Sequence, residues 1–179
     1  VFPTHRLVRD LPNFDKEAVL EKCSEFFYID EKEGTDTMEE DLKKLYDEGK
    51  KAFGFYCGKG EWFLLTLKNI DFMSQMLPNV SKASQSLDVS VLHTLILEKI
   101  FGIDKENMAK QINLTYTKFF TEAIDGVDKG EFQCSFVLNP TRVTEIRDVA
   151  AAGEKMPQKS TYFYPKMITG MVMNNLGVD

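Results

Sequence analysis

The sequence predicts an α+β fold, a mixed and largely antiparallel sheet packed with helices mainly on one face. Two aromatic-rich runs, residues 52–57 and 61–67, flank Gly58-Lys59-Gly60, a glycine-permitted turn between two strands. Segments with helical spacing stand on either side of that hairpin. Helices and strands alternate irregularly along the rest of the chain, without the regular rhythm of a parallel βαβ sheet. No repeat period runs through it.

Taken in order, Val1-Phe2-Pro3 reads as the end of a strand, and a chain opening on Val reads as a piece of a longer protein. Val19, Leu20, Cys23, Phe26 and Phe27 recur at helical spacing and predict a helix over 15–26, with a strand over 26–29 after it. Thr37-Met38-Glu39-Glu40 has the form of a capping box, the threonine accepting from an amide while Glu40 reaches back. Met38, Leu42 and Leu45 supply that helix with an apolar stripe, and Gly49 stops it. Beyond the hairpin, Pro78 and the polar stretch 81–86 form a loop. Asp88 then caps a helix over 89–101, closed by Gly102. Strands are expected over 114–118 and 132–138, with a helix over 121–127 between them. Asn139-Pro140-Thr141 is a stop-and-cap signal for a helix over 142–152 that ends at Gly153. The last apolar run, 168–173, reads as a strand.

The composition of these 179 residues, 43% hydrophobic and 28% charged, excludes disorder and low complexity. A chain of this size buries roughly 70% of its area on folding, so one domain over 1–179 is expected. Its longest apolar stretch, 89–103, is interrupted by His93, Glu98 and Lys99, and it falls short of the ~20 residues a bilayer requires. No membrane partner is expected, and no signal peptide is recognisable. Cys23, Cys57 and Cys134 sit in apolar elements without paired spacing, which suits a reducing, cytoplasmic setting. Residues 30–48 hold nine acids and three lysines, a local charge equal to the net −6 of the whole chain. Such a run is a solvated face that repels nucleic acid.

Few residues can carry chemistry. His93 falls within the apolar arc of Val89, Leu92, Ile96, Leu97 and Ile100, where a histidine is more often a hydrogen-bonded core residue than a catalyst. Asp88 is a possible companion, but residues five apart on an α-helix lie about 140° apart around its axis. The two histidines, His5 and His93, form no metal-binding spacing, so no metal is expected. Gly58-Lys59-Gly60 lies in a hairpin turn, not between a strand and a helix N-terminus, and there is no phosphate loop or serine-hydrolase elbow elsewhere. The remaining segment, Lys155-Met156-Pro157-Gln158-Lys159-Ser160-Thr161-Tyr162-Phe163-Tyr164-Pro165-Lys166, gathers lysines, hydroxyls and tyrosines between stiffening prolines. Ammonium and hydroxyl groups are the donors an anionic oxygen requires, although a surface loop leading to an edge strand has the same composition.

From Met156 to Lys166 this segment, followed by Thr169-Gly170, resembles a signature of the bacterial and archaeal family known as the domain of unknown function numbered one thousand and fifteen. Pro3-Thr4-His5-Arg6 and Leu87-Asp88-Val89-Ser90-Val91-Leu92-His93 resemble further pieces of it in the same order. The methionines at 167, 171 and 173 are a mild departure. The resemblance implies a cytoplasmic protein without an assigned activity and a chain forming the C-terminal half of a longer one, whose missing half is linked by analogy to a ParB-like, nucleotide-handling fold. It also makes His5, Arg6, Asp88, His93, Lys159, Ser160, Thr161 and Tyr162 a candidate set for one polar site.

Two functions follow as expectations. In the first, the chain is the phosphate- or nucleotide-binding half of an enzyme: Arg6 and Lys159 hold phosphate oxygens, Asp88, Ser160, Thr161 and Tyr162 complete the binding site, and His93 or His5 moves a proton. Its cofactor is unspecified. In the second, it is a non-catalytic scaffold that packs on the missing N-terminal half or forms a homodimer through exposed aromatics such as Phe2, Tyr162 and Phe163.

Overall fold

One six-stranded sheet organises the chain, and a computed structural model describes residues 1–165 of it. The elements are β1 (His5–Val8), α1 (Lys16–Cys23), β2 (Phe27–Glu33), α2 (Met38–Asp47), β3 (Ala52–Gly58), β4 (Glu61–Leu67), α3 (Asp71–Met76), α4 (Lys82–Gln85), α5 (Asp88–Val91), a π-helix (Leu92–Glu98), α6 (Lys105–Lys110), β5 (Leu114–Thr117), α7 (Phe120–Asp128), β6 (Cys134–Val137) and α8 (Val143–Ala151). The strand expected over 168–173 lies outside the described residues. The strands lie in the order β2-β4-β3-β6-β1-β5 and every pairing is antiparallel, so the fold is α+β with no parallel pair among these strands.

Side chains alternate across a strand, and that alternation sorts the core into two layers. Phe53, Phe55, Phe63, Leu65 and Phe136 pack on one side of the sheet with α1 and the π-helix. Ala52, Tyr56, Trp62, Leu64 and Val137 pack on the other with Met38 and Leu42 of α2 and Ala123, Ile124 and Val127 of α7. Helices therefore cover both faces, not mainly one as the sequence suggested. A sheet covered on both sides needs apolar residues at every position, which accounts for the nearly unbroken apolar runs of β3 and β4. Their turn takes positive φ at Gly58, Lys59 and Gly60. It is held by Asp128, whose Oδ1 accepts from the Lys59 amide at 3.0 Å and from the Tyr56 hydroxyl at 2.6 Å.

Several local expectations change. Asp15 caps α1, its Oδ1 accepting from the Ala18 amide at 2.9 Å, but the helix ends at Cys23, short of residue 26. Thr37 does not cap α2; its hydroxyl donates to Asp41 Oδ2 at 3.3 Å. Glu145 does close the start of α8 by accepting from the Arg142 amide at 2.9 Å. The helix expected over 89–101 is α-helical only to Val91 and then widens, with amides donating five residues back: Lys99 to Thr94 at 3.2 Å and Phe101 to Ile96 at 2.9 Å. Among the described residues no helix is long and apolar enough to cross a membrane.

Candidate functional site

The site is assembled on β1, a strand the apolar pattern does not announce because half of its four residues are His5 and Arg6. β1 lies between β5 and β6, with Arg6 opposite Tyr116 on one side and Phe136 on the other. Consecutive residues of a strand face opposite ways. Arg6 shares the face of Val8, on which the π-helix packs, and His5 shares the face of Leu7. The sheet thus separates two residues that the sequence placed in one site. His5 is buried, and its Nδ1 accepts from the Leu138 amide at 3.2 Å. Burial, with the Arg6 charge adding to it, lowers its pKa to about 4, so it is a neutral structural ring.

Arg6 is 0% exposed. Its guanidinium donates to the Thr4 carbonyl, to the Lys159 carbonyl at 3.1 Å and to His93 Nε2 at 3.1 Å, and it lies 5.1 Å from the centre of the Tyr116 ring. Its Nε is buried without a partner. None of these partners is a carboxylate, and among the described residues Arg6 forms no ion pair. Burial lowers its pKa to about 10, partly opposed by Tyr116. The cation stays charged and desolvated, without a counter-ion among the described residues. Arg6 also secures the late segment to the start of the chain, where the Phe2 amide donates to the Tyr162 carbonyl at 2.9 Å. Lys159 adopts a left-handed φ of 55°, an uncommon conformation for a residue with a Cβ, and its carbonyl is one that Arg6 holds.

His93 is the second member. A guanidinium can only donate, so Nε2 accepts and the hydrogen of the neutral ring sits on Nδ1. Burial and then the Arg6 charge lower its pKa to about 3. Nδ1 makes no hydrogen bond among the described residues and is not enclosed, and the ring lines a cavity. That cavity has a volume of about 500 Å³, within the range of small-molecule sites. Thr94 and Glu98 of the π-helix, Lys105, Tyr116, Glu154 and Lys155 also line it. The Glu154 carboxylate accepts from the Ser81 hydroxyl at 2.6 Å and amide at 2.8 Å and from the Ser84 hydroxyl, bonds that hold its pKa below the usual range. Lys105 and Lys155 are exposed at the rim.

The other expected site residues lie elsewhere. Lys159 meets Arg6 through its carbonyl, and its exposed ammonium does not line the cavity. The Ser160 hydroxyl is buried without a partner while its carbonyl accepts from the Thr141 hydroxyl at 3.0 Å. Thr161 is half-buried outside the cavity. Tyr162 lies beneath the Lys118 ammonium, 4.4 Å from ring centre to nitrogen, and its hydroxyl accepts from that lysine at 3.3 Å. Asp88 belongs to a separate cluster: Lys51 Nζ lies 3.0 Å from Asp88 Oδ1 and 2.8 Å from Glu145 Oε1. Burial raises the Asp88 pKa against the pull of Lys51. Burial would lower the Lys51 pKa, but the two carboxylates outweigh it and hold the ammonium above its usual value. Among the described residues there is no group of three histidine, cysteine or acidic side chains able to hold a metal ion.

Sequence reasoning thus reached Arg6 and His93 but missed Glu98, Lys105, Tyr116, Glu154 and Lys155. Lys155 opens the singled-out segment, and Glu98 lies five residues after His93 on a helix read as α. Comparison with known proteins finds one family, described as protein of unknown function (DUF1015), whose model matches residues 1–90. The match includes Pro3-Thr4-His5-Arg6 and stops before His93 and the segment from Lys155 onward. No curated protein and no solved structure matches the chain.

Proposed function

The chain belongs to the DUF1015 family, and from that premise we propose that it binds a small phosphorylated ligand in the cavity beside His93. The observation that carries this reading is the buried Arg6, without a counter-ion among the described residues, bonded to the Nε2 of a ring that lines the cavity and whose Nδ1 has no partner there. A desolvated cation costs several kcal/mol unless an anion approaches it. Lys105 and Lys155 at the rim add two positive charges, while the charge of Glu154 is already met by the Ser81 and Ser84 donors. Ligand selection therefore works in two stages: mobile ammonium groups draw the anion in, and a fixed neutral donor receives one of its oxygens. Free thiols at Cys23, Cys57 and Cys134 support a cytoplasmic setting. A bacterial source and the role of an enzyme half belong to the same reading.

Calorimetric titration with inorganic phosphate and with glycerol phosphate tests it. Saturable binding is expected, weakened at least tenfold when Lys105 and Lys155 are both changed to Ala. Absence of binding by both probes overturns the reading.

A second reading rests on a different surface. Phe2, Phe119, Phe163 and Tyr164 are 46%, 51%, 54% and 69% exposed, and the Lys118 ammonium lies over the Phe119 and Tyr164 rings. Such a patch supports a packing role, against the remainder of a longer protein or a second copy of the chain. Sedimentation as a strict monomer would remove the dimeric form.

A further inference from the structure

A carboxylate in a cavity that takes an anion opposes binding, and Glu98 is such a carboxylate. Among the described residues it has neither a hydrogen bond nor an ion pair for its side chain, unlike Glu154 in the same lining. Its pKa is raised by burial, with Lys105 pulling it down and Asp104 pushing it up. The π-helix decides where it points. Its hydrogen bonds join residues five apart, so residues with that spacing stack along one side. On an α-helix they would diverge by about 140°. The widened turn from Leu92 to Glu98 thereby brings His93 and Glu98 to the same cavity, and a π-turn within a helix is a feature that recurs at functional sites.

We propose that this cavity is a proton-transfer site for a small phosphorylated carbonyl compound, with Glu98 as the general base and His93 as the neutral donor to the carbonyl oxygen. This rests on the phosphate reading above. A Glu98 oxygen removes the proton from the carbon beside the carbonyl. The C–H electron pair forms a new C=C bond, and the carbonyl π pair moves onto oxygen. The His93 Nδ1–H donates to that developing oxyanion. Return of the proton from the Glu98 carboxyl, to the same carbon or its neighbour, completes the reaction without an oxidant or a co-reactant. Arg6 acts as a positioning residue: by donating to Nε2 it fixes the tautomer that makes Nδ1 a donor. A neutral imidazole facing a carboxylate base is a recurring arrangement for proton abstraction beside a carbonyl.

The experiment incubates the whole chain with dihydroxyacetone phosphate in deuterium oxide and follows loss of the carbon-bound proton signal by NMR, beside calorimetry with inorganic phosphate. Wild type is expected to catalyse exchange, Glu98→Gln to lose it at least a hundredfold, and His93→Gln to lose it at least tenfold. Glu98→Gln should bind inorganic phosphate at least as tightly as wild type, since it removes a like charge, whereas His93→Gln, which removes the donor to the anion, should bind it more weakly. Phosphate binding without exchange, or exchange that survives Glu98→Gln, overturns the proton-transfer proposal and leaves the binding reading standing. Loss of phosphate binding in wild type overturns both.

Discussion

Two cations among the described residues, the half-buried Lys51 and the buried Arg6, are treated in opposite ways. Lys51 is held between Asp88 and Glu145, so its charge is neutralised where it stands and its ammonium is held above its ordinary pKa. Arg6 is more deeply buried yet, among the described residues, receives only carbonyls, a ring nitrogen and the face of Tyr116, and its pKa falls to about 10. The first arrangement is electrically closed. It ties the start of β3 to α5 and α8, and so braces the elements from which the late segment departs. The second is open, with its field directed through His93 into a cavity. Position in the fold does not separate a brace from a site here; the presence or absence of a counter-charge does.

The largest expected effect breaks the closed cluster. Lys51→Met leaves two largely buried carboxylates without their cation and should cost about 4 kcal/mol in denaturant unfolding at pH 7. Arg6→Met removes a cation that had no counter-ion, so it should cost less, about 2 kcal/mol, for the acceptors left unpaired. A larger loss for Arg6→Met than for Lys51→Met would contradict the comparison.

The next effect is on pH. His5 and His93 bind a proton more weakly in the folded chain, with pKa values of about 4 and 3, than the unfolded reference of about 6.5. The unfolded state therefore holds more protons below about pH 6.5, and stability must fall as the pH drops from there toward the folded values. Each ring contributes up to roughly 1.4 kcal/mol per pH unit in that window. Unfolding midpoints at pH 7 and pH 5 should differ accordingly, and His5→Gln or His93→Gln should each remove about half of the difference. A flat profile would place a charge partner near one of the rings.

Smallest is the effect of the rim. Lys155→Ala should change stability by less than about 0.5 kcal/mol, since the side chain is exposed, while weakening phosphate binding several-fold in calorimetry. An effect on stability without one on binding would assign Lys155 to the fold alone.

Physical causes explain which parts could be read from the sequence. The β3–β4 hairpin was legible because its turn glycines punctuate two aromatic runs, and α8 because Asn139-Pro140-Thr141 stops one element before another begins. β1 was not, because burying His5 and Arg6 removes the apolar alternation that marks a strand. Helices on both faces were likewise hidden, since a run such as that of β4 announces burial without saying what lies on each side. The Arg6–His93 meeting was within reach of polar-residue reasoning. Glu98 was not, because Leu92-His93-Thr94-Leu95-Ile96-Leu97-Glu98 has a pattern common to α- and π-helices, and only the wider turn unites its polar residues. Asp88 was misassigned for a related reason: its partner Lys51 lies in another element, and an acid before a helix looks like a cap whether or not it serves as one.

The claim beneath the phosphate-binding and proton-transfer readings is that His93 is neutral with its hydrogen on Nδ1 and open to an incoming anion. Long-range proton–nitrogen correlation spectra of histidine-labelled protein at pH 6.5, recorded with and without inorganic phosphate, measure this directly. The account predicts one ring with a protonated Nδ1 and an unprotonated Nε2, whose Nδ1 resonance moves on adding phosphate. An imidazolium, the opposite tautomer, or a resonance that phosphate leaves unmoved would contradict it.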